Sequence, residues 1–311
     1  MAGTGETRRS LARSISCRGV GLHSGRAVTL ELRPASPGAG IAFLRSDLGI
    51  RIPARAEHVA DTRLCTAIAA PGAPQARIGT VEHVMAALAG AGVDDAVVAV
   101  DGPEVPILDG SAEPFLFLIG CAGLIEHDAP RPVLRVLREI RVADADGAWA
   151  ALSPLPGGGF EAALEIDFPG TAIGTQRGAL RLGPASFRRE VARARTFTLA
   201  EDVARLRAAG LAQGGSLDNA VVVDGPLVLN PGGLRMADEF VRHKLLDVVG
   251  DLALAGHPIA GRFEGARSGH ALNNRLLRAL LADGTAWMLS SDAAEPLAPA
   301  RSPAEAVPVA A

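Results

Sequence analysis

Apolar residues recur along this chain of 311 residues with two different spacings, and each spacing predicts one kind of element. Short alternating or continuous apolar runs are typical of β-strands, and they lie at 27–32, 96–100, 134–142 and 160–168. A spacing of three to four residues predicts helices near 81–90, 187–194, 201–209, 239–255 and 275–281. Strands mixed with helices in this way indicate the α+β class.

A charged, proline-containing segment at 127–132 (HDAPRP) separates two patterned regions and has the composition of a linker. We therefore predict a first α+β domain over residues 1–127 and a second over residues 133–295. The remaining residues, 296–311, are rich in Ala and Pro, which is typical of a flexible tail.

The overall charge and the cysteine content exclude several classes of protein. A net charge of -3 does not suit a nucleic-acid binder, which usually carries a basic domain or stripe. Cys17, Cys65 and Cys121 are far apart, so neither a disulfide framework nor a thiolate zinc site is indicated. The longest apolar segment, 114–125, is too short to span a bilayer. We expect a cytoplasmic protein with no signal peptide and no transmembrane helix.

The predicted helix over 239–255 is apolar on most of its circumference, yet it carries a polar stripe. His243, Asp247 and Asp251 recur every four residues and therefore share one side of the helix. An imidazole and a carboxylate on adjacent turns can bind one cation. A helix salt bridge or a hydrogen-bonded core histidine would explain the pair equally well.

A second helix start, TVEHVMAAL at 80–88, offers a third ligand. Thr80 is a candidate N-cap, which places Glu82 and His83 in the first turn. The helix dipole opposes protonation of His83 there, so the imidazole can bind a metal. Glu82 could take a proton from water near that metal, although an acidic residue also stabilises any helix start. The candidate metal ligands are His83, His243 and Asp247.

Two further residues suggest catalysis. His270, in the segment SGHALNN, could as an imidazolium stabilise an oxyanion or protonate a leaving amine, with Asp251 as its partner. Lys244 is the single lysine among 31 basic residues, which hints that a compact charge is needed beside His243. Chance would also explain one lysine.

Eight motifs together resemble the zinc-dependent deacetylases of lipid A biosynthesis, and their joint occurrence in order over residues 10–295 is highly specific. The motifs are VGLHSG (20–25), DTRLCT (61–66), TVEHVMAALAG (80–90), DGSAEPF (109–115), ARTF (194–197), GGSLDNAVVVD (214–224), EFVRHKLLDVVGDLALAG (239–256) and SGHALNN (268–274). That family hydrolyses the acetamide of UDP-3-O-(3-hydroxyacyl)-N-acetylglucosamine and releases acetate.

The resemblance implies a fold and a catalytic site. The fold is two α+β domains of similar topology, with helices sandwiched between the sheets and the site in the cleft between the domains. A zinc ion, with iron(II) as an alternative, would be held by His83, His243 and Asp247. The implied catalytic residues are Glu82 as general base, His270 as charged acid supported by Asp251, Thr196 as an oxyanion donor, and Lys244 near the phosphates or carbonyl.

The resemblance also implies substrate contacts. The acyl chain would pass along Phe197, Leu199, Val203, Ala212, Ser216 and Val222, which could equally be core residues. Phe168 would stack on uridine and Arg267 would neutralise the diphosphate, but the segment IDFPGTAIGTQR (166–177) is shorter than in the family and lacks its histidine. We expect a monomer that binds no nucleic acid and at most contacts the inner membrane surface transiently.

Two other functions fit part of the pattern. Two histidines and one carboxylate also describe non-haem iron(II) oxygenases, although this chain lacks their His-x-Asp pair and that chemistry gives Glu82 no role. A catalytically inactive protein that binds nucleotide sugars or acyl lipids would need neither a base nor an acid. The presence of Glu82, His270, Asp251 and Thr196 together therefore favours hydrolysis.

Overall fold

A computed structural model describes residues 6–291 of the chain. The predicted tail at 296–311, and the last residues of the predicted second domain, lie outside the described residues. Two short 3-10 turns, Ala56–His58 and Ala253–Ala255, accompany the α-helices. The α-helices of the described range are α1 (Glu82–Ala91), α2 (Glu113–Ala122), α3 (Pro184–Glu190), α4 (Ala200–Ala208), α5 (Glu239–Leu252) and α6 (His270–Ala282).

Strands occur throughout the described range. In chain order they are β1 (Thr7–Leu11), β2 (Ile15–Val20), β3 (Ala27–Pro34), β4 (Ile41–Arg45), β5 (Ile50–Pro53), β6 (Val59–Asp61), β7 (Ala67–Ala70), β8 (Ala73–Ile78), β9 (Ala96–Val100), β10 (Leu124–Pro130), β11 (Val133–Val136), β12 (Ile140–Ala143), β13 (Trp149–Ser153), β14 (Phe160–Phe168), β15 (Gly174–Arg181), β16 (Phe197–Leu199), β17 (Val221–Asp224), β18 (Leu227–Val228), β19 (Ile259–Ala266) and β20 (Trp287–Ser290).

Two large sheets form the outer layers. The first has five strands in the order β2-β3-β9-β4-β5, and the second has seven, with β12-β13-β19-β11-β20 as its path and β14 and β15 joined to it through β19. Both sheets are mixed, since β9 runs parallel to β4 and β14 runs parallel to β19. Three small sheets, β1-β10, β6-β7-β8 and β16-β17-β18, complete the fold.

Helices fill the space between the large sheets. α2 contacts β2 of the first sheet, whereas α5 contacts β14 and β15 and α6 contacts β12 and β13 of the second sheet. α1 packs against α5 and joins the two layers. The predicted α+β class is thus confirmed, with helices between two sheets. Among the helices that the structure describes, none is long and apolar enough to cross a membrane.

Alternation of side chains explains the layers. Along β3 and β14, buried residues alternate with partly exposed ones, so each strand turns one face to the helices. α5 is different, because all its residues except Arg242 and Lys244 are buried. A helix enclosed by α1, α6 and a sheet must be apolar almost all round, which explains the unusual composition of this segment.

Some sequence-based boundaries differ from the structure. The segment predicted as a linker is mostly strand, since β10 pairs with β1 through its backbone groups. The run predicted as one strand over 134–142 is two strands, because β11 pairs with β19 and β20 whereas β12 pairs with β13. Each large sheet draws its strands from one side of residues 127–132. The division into domains itself stays a prediction.

One glycine allows α1 and α5 to approach closely. A Cβ atom at Gly250 of α5 would lie 2.1 Å from the carbonyl oxygen and 3.0 Å from the Cα atom of Glu82 in the first turn of α1. Any side chain at position 250 must therefore push the two helices apart. The backbone of α1 is thus held directly against α5 at the residue next to His83.

We expect Gly250→Ala to lower the free energy of unfolding by about 1–3 kcal/mol, because the added methyl overpacks a contact with backbone that cannot move aside alone. The matched control is Gly120→Ala in α2, where a Cβ atom meets nothing within 4 Å. That control should be neutral or stabilising by about 0.5–1 kcal/mol. Urea unfolding of the three proteins provides the measurement, and equal effects of both substitutions would contradict the close contact.

Candidate active site

The predicted metal ligands converge at the contact between α1 and α5. His83 lies in the first turn of α1, and His243 and Asp247 lie one turn apart on α5. The Nε2 atoms of His83 and His243 are 3.8 and 3.4 Å from Asp247 Oδ1. One ligand atom from each residue falls within 4.8 Å of the others, and all three residues are buried. This spacing allows one cation to contact all three residues.

The hydrogen bonds around His243 and Asp247 leave His243 Nε2 and Asp247 Oδ1 free to bind a cation. His243 Nδ1 is 3.0 Å from the carbonyl oxygen of Ala194, so we assign the proton to Nδ1 and the lone pair to Nε2. Asp247 Oδ1 is buried and has no hydrogen-bond partner. A buried carboxylate oxygen without a donor is costly unless a cation fills the space beside it. The donor set therefore fits a bound divalent metal.

The charge states suit the same role. Burial, together with the neighbouring His243, lowers the pKa of His83 to about 3, and burial also lowers the pKa of His243. Burial opposes ionisation of Asp247, but His243, Lys244 and other neighbours hold the pKa of its carboxyl below the usual range. Two neutral imidazoles and one carboxylate are an ordinary ligand set for zinc or iron.

Thr80 does not cap α1, so that prediction was wrong. Its backbone has a φ of 56°, and its hydroxyl donates to Glu104 Oε1 at 3.0 Å and accepts no hydrogen bond from the N–H groups of the helix. Val81 occupies the N-cap position without any side-chain cap, and its own N–H donates to the carbonyl oxygen of Thr66. The backbone before α1 is therefore set by tertiary contacts and not by a local cap.

Glu82 lies beside the ligands in a buried position. Its Oε2 accepts a hydrogen bond of 3.0 Å from the backbone N–H of Thr66. Burial raises the pKa of Glu82 to about 8, and the nearby Asp247 and Asp251 carboxylates act in the same direction, whereas His270 opposes them. A carboxyl with a pKa near neutrality can exchange a proton with a reacting molecule.

His270 is the first residue of α6 and faces the same cleft. Its Nδ1 is 2.9 Å from Asp251 Oδ2, which also accepts a bond of 2.9 Å from Asn273 Nδ2. Burial opposes protonation of His270, but the Asp251 carboxylate and, more weakly, Asp247 and Glu82 raise its pKa to about 9. The imidazole therefore carries a positive charge at neutral pH.

A small pocket of about 80 Å³ joins these groups. Ala194 to Thr196 are held beside it because the Arg195 amide and guanidinium bind the buried Glu239 carboxylate at the start of α5. The residues that line the pocket are Leu22, His23, Leu64, Cys65, Thr80, Glu82, His83, Thr196, Phe197, His243, Lys244, Asp247 and His270. The structure thus brings together every predicted metal ligand and all predicted catalytic residues except Asp251, which does not line the pocket but contacts His270.

Lys244 occupies a particular position in this pocket. Its Nζ donates to Asp247 Oδ2 at 2.9 Å and lies 5.6 Å from the centre of the Phe197 ring. Burial opposes its charge, but Asp247 raises the pKa of Lys244, so the side chain stays cationic. The ammonium group therefore lies at the pocket beside a candidate metal ligand.

The predicted contacts of the acyl chain lie in one small unit next to the pocket, formed by β16, α4, β17 and the segment that joins α4 to β17. Phe197 is the member that touches the pocket, and its ring packs edge-on against Phe168 at 5.7 Å and against Phe240 at 5.1 Å. β16 and β17 of this unit pair in parallel, with α4 against them. The other predicted positions belong to the same unit but do not line the pocket: Leu199, Val203, Ala212, Ser216 and Val222. Their role stays a prediction.

Arg267 is not a pocket residue. Its guanidinium donates to the carbonyl oxygen of Asp146 at 2.6 Å, in the turn between β12 and β13. Its contact with a diphosphate stays a prediction, as does the stacking of Phe168 on uridine.

Sequence reasoning assigned no role to several polar residues around the site. Glu104 accepts bonds from the backbone of His23 and Ser24 as well as from Thr80, and it fixes the loop that carries His23. Both ring nitrogens of His23 are buried without a partner, and the ring lines the pocket. Spacing could not reveal these contacts, because they join residues 24 to 81 positions apart.

A larger cavity of about 780 Å³ lies at the opposite ends of α1 and α5. Its walls include Met85, Leu88, Val249 and Leu252, together with arginines of the two halves. None of the candidate ligands lines it, nor does Glu82 or His270. Size alone is therefore a poor guide here, and the convergent ionisable groups locate the chemistry in the smaller pocket.

Comparison with known proteins identifies the family of the chain. Residues 8–282 match the family model described as UDP-3-O-acyl N-acetylglycosamine deacetylase. A protein of Acidithiobacillus ferrooxidans named UDP-3-O-acyl-N-acetylglucosamine deacetylase is 51% identical over 282 residues, which cover 90% of this chain and 91% of the relative. A protein of the same name from Shewanella oneidensis is 48% identical over 296 residues, covering 94% and 95% of the two chains.

Metal addition should stabilise the folded chain through this site. With metal-stripped protein, Zn²⁺ at 100 times its Kd should raise the free energy of unfolding by about 2.7 kcal/mol, because the cation binds only the folded state. Asp247→Ala should abolish this increase, whereas Asp128→Ala, which removes an exposed carboxylate on β10, should retain it. Thermal unfolding with and without Zn²⁺ is the measurement. An equal increase in the Asp247→Ala protein would place the metal elsewhere.

Proposed function

Because the chain belongs to the UDP-3-O-acyl N-acetylglycosamine deacetylase family, we propose that it hydrolyses the acetamide of UDP-3-O-(3-hydroxyacyl)-N-acetylglucosamine and releases acetate, the committed step of lipid A biosynthesis. The observation that carries this proposal is the unpartnered Asp247 Oδ1 between two neutral imidazoles, with a carboxyl and an imidazolium in the same pocket. A base, an acid and a metal site together are the parts that metal-assisted amide hydrolysis uses.

His83, His243 and Asp247 would hold the metal, and we propose zinc as its identity, with iron(II) as the alternative. When bound, the divalent cation supplies Lewis-acid polarisation of the acetamide carbonyl. The backbone of Ala194 keeps His243 in the tautomer that presents Nε2. Lys244 neutralises Asp247 from the side of Oδ2 and leaves Oδ1 for the metal.

Glu82 would act as the general base. The N–H of Thr66 fixes its Oε2, and within residues 6–291 no side chain donates a hydrogen bond to its Oε1. The carboxylate takes a proton from water as the water oxygen attacks the acetamide carbon. Its raised pKa, caused mainly by burial, makes Glu82 a stronger base than an exposed glutamate.

His270 would act on the opposite side of the reacting carbon. As an imidazolium bound to Asp251, it stabilises the negative charge that develops on the acetamide oxygen when water attacks. It then gives its proton to the departing nitrogen as the C–N bond breaks. We propose that the Thr196 hydroxyl donates to the same oxygen, since Thr196 lines the pocket and its backbone is fixed by Gly110 and Val221. The products are acetate and a free amine.

The remaining substrate contacts follow the family. We propose that Lys244 contacts the phosphates or the carbonyl, that Phe168 stacks on uridine, and that Arg267 neutralises the diphosphate. The acyl chain would leave the pocket past Phe197 into the unit formed by α4, β16 and β17. We propose a cytoplasmic monomer that binds no nucleic acid and touches the inner membrane surface only transiently.

Neither alternative function has an observation in its favour. A non-haem iron(II) oxygenase would use the same three ligands but leaves Glu82 and the His270–Asp251 pair without a role. An inactive binding protein would not need an imidazolium held opposite a buried carboxyl. Glu82 and His270 both line the pocket beside the candidate metal ligands, and this arrangement favours hydrolysis.

Substitution of the base and of a ligand should separate chemistry from metal binding. We expect Glu82→Gln to keep about the wild-type metal content while kcat falls about 10²–10⁴-fold, because general-base catalysis contributes that much. His243→Ala should lose both metal and activity. Metal content and acetate release from UDP-3-O-acyl-N-acetylglucosamine are the measurements. Full metal binding by His243→Ala, or no acetate release by the wild type, would overturn the proposal.

The alkaline side of the pH profile should report on His270. Because the acid must be protonated, activity should fall as the pH rises through the pKa of His270, which is about 9 in the absence of metal. Asp251→Asn removes the main group that raises this pKa, so the alkaline limb should move to lower pH by about 1–3 units. A bound cation lowers the pKa of His270 in both proteins, so the test is the difference between the pH values at which their activities fall. An unchanged limb would show that His270 is not the acid.

A further inference from the structure

Thr66, which directly precedes β7 in the first half of the chain, is bonded to both sides of the pocket. It is 1% exposed, and it lies between Glu82 of α1 and Asp251 of α5. The proposed reaction gives it no role, because Thr66 does not line the pocket. Its contacts nevertheless involve the two groups on which proton transfer depends.

The backbone of Thr66 holds the base. Its N–H donates to Glu82 Oε2 at 3.0 Å, and its carbonyl oxygen accepts from the N–H of Val81 at 3.1 Å. One residue therefore binds both the carboxylate of Glu82 and the backbone just before it. Since α1 has no side-chain cap, these two bonds are among the tertiary contacts that fix its first turn.

The side chain of Thr66 holds the partner of the acid. Its hydroxyl donates to Asp251 Oδ1 at 2.6 Å, while Asp251 Oδ2 accepts from His270 and Asn273 at 2.9 Å each. The carboxylate of Asp251 thus has donors on both oxygens and cannot rotate without breaking one of them. Asn273 is held in turn by Ser268, whose hydroxyl donates to Asn273 Oδ1 at 2.5 Å.

We propose that Thr66 is a positioning residue that fixes the general base and the imidazolium relative to each other across the cleft. The chain of contacts is Glu82, Thr66, Asp251 and His270, and its central bond joins residues 185 positions apart in the sequence. Through this bond Thr66, which directly precedes β7, joins the first half of the chain to α5, the helix that carries two of the candidate metal ligands. The hydroxyl acts through Asp251 and not on the substrate.

This inference rests on the proposed function, and it makes a specific prediction for the hydroxyl group. Thr66→Val keeps the shape of the side chain but removes the donor to Asp251. We expect kcat to fall about 10- to 100-fold, since displacement of a catalytic group by about 1 Å can cost 10²-fold. KM and metal content should stay close to wild type, because no ligand and no pocket residue is changed.

Three further variants make the test selective. Thr66→Ser keeps the donor and should retain activity within about threefold of wild type, a change too small to reflect loss of a positioned group. Thr66→Ala also removes the donor and adds no bulk, so it replaces Thr66→Val if that protein fails to fold. Thr285→Val is the matched control, because the Thr285 hydroxyl donates to Asp283 at the same 2.6 Å but on the exposed surface. It should not change kcat.

A double-mutant cycle with Asp251→Asn shows whether Thr66 acts through Asp251. In that background Thr66→Val should cost less than about threefold, because residues that act through one contact are not additive. The same loss in both backgrounds, a rise in KM without a fall in kcat, or failure of Thr66→Ser to retain activity would overturn the inference. If the wild type itself releases no acetate, the proposed function fails first, so the two failures are distinguishable.

Discussion

The close contact of α1 with α5 at Gly250 determines the geometry of the cleft. Because no side chain separates the helices there, the first turn of α1 lies against the last turn of α5, and His83 comes beside His243 and Asp247. Each half of the chain thus supplies part of the candidate ligand set, and neither half contains all three residues. The sheets on either side serve mainly to hold these two helices in register.

That contact also concentrates charge where water is excluded, and the surrounding residues compensate it. Glu82, Asp247 and Asp251 are each at most 3% exposed, yet Asp247 and Asp251 lie close enough to Glu82 that their charges raise its pKa. Isolated buried carboxylates would be strongly destabilising. Lys244 and the protonated His270 balance two negative charges, and a divalent cation would bind the oxygen that no side chain satisfies. Metal binding and stability are therefore linked at this site.

The parts of the fold that depend on local spacing could be predicted from the sequence. β9 and β14 begin and end where the apolar runs do, and the i to i+4 spacing of His243 and Asp247 already places them on one face of a helix. α2 was not predicted, because its continuous apolar run is compatible with a helix or a buried strand. The positive φ of Thr80 and the bonds of Thr66 depend on residues distant in the sequence, so no local pattern could indicate them.

The structure gives a physical reason why the single lysine of the chain is at position 244. Lys244 donates to Asp247 Oδ2 alone, which leaves Oδ1 directed at the two imidazoles without a donor. An arginine at this position would present a planar fork, and a fork commonly binds both oxygens of a carboxylate. Both oxygens of Asp247 would then be occupied and its capacity as a ligand would be lost. In a chain that otherwise uses arginine for its basic side chains, a charge that engages one oxygen only is what the proposed metal site would require.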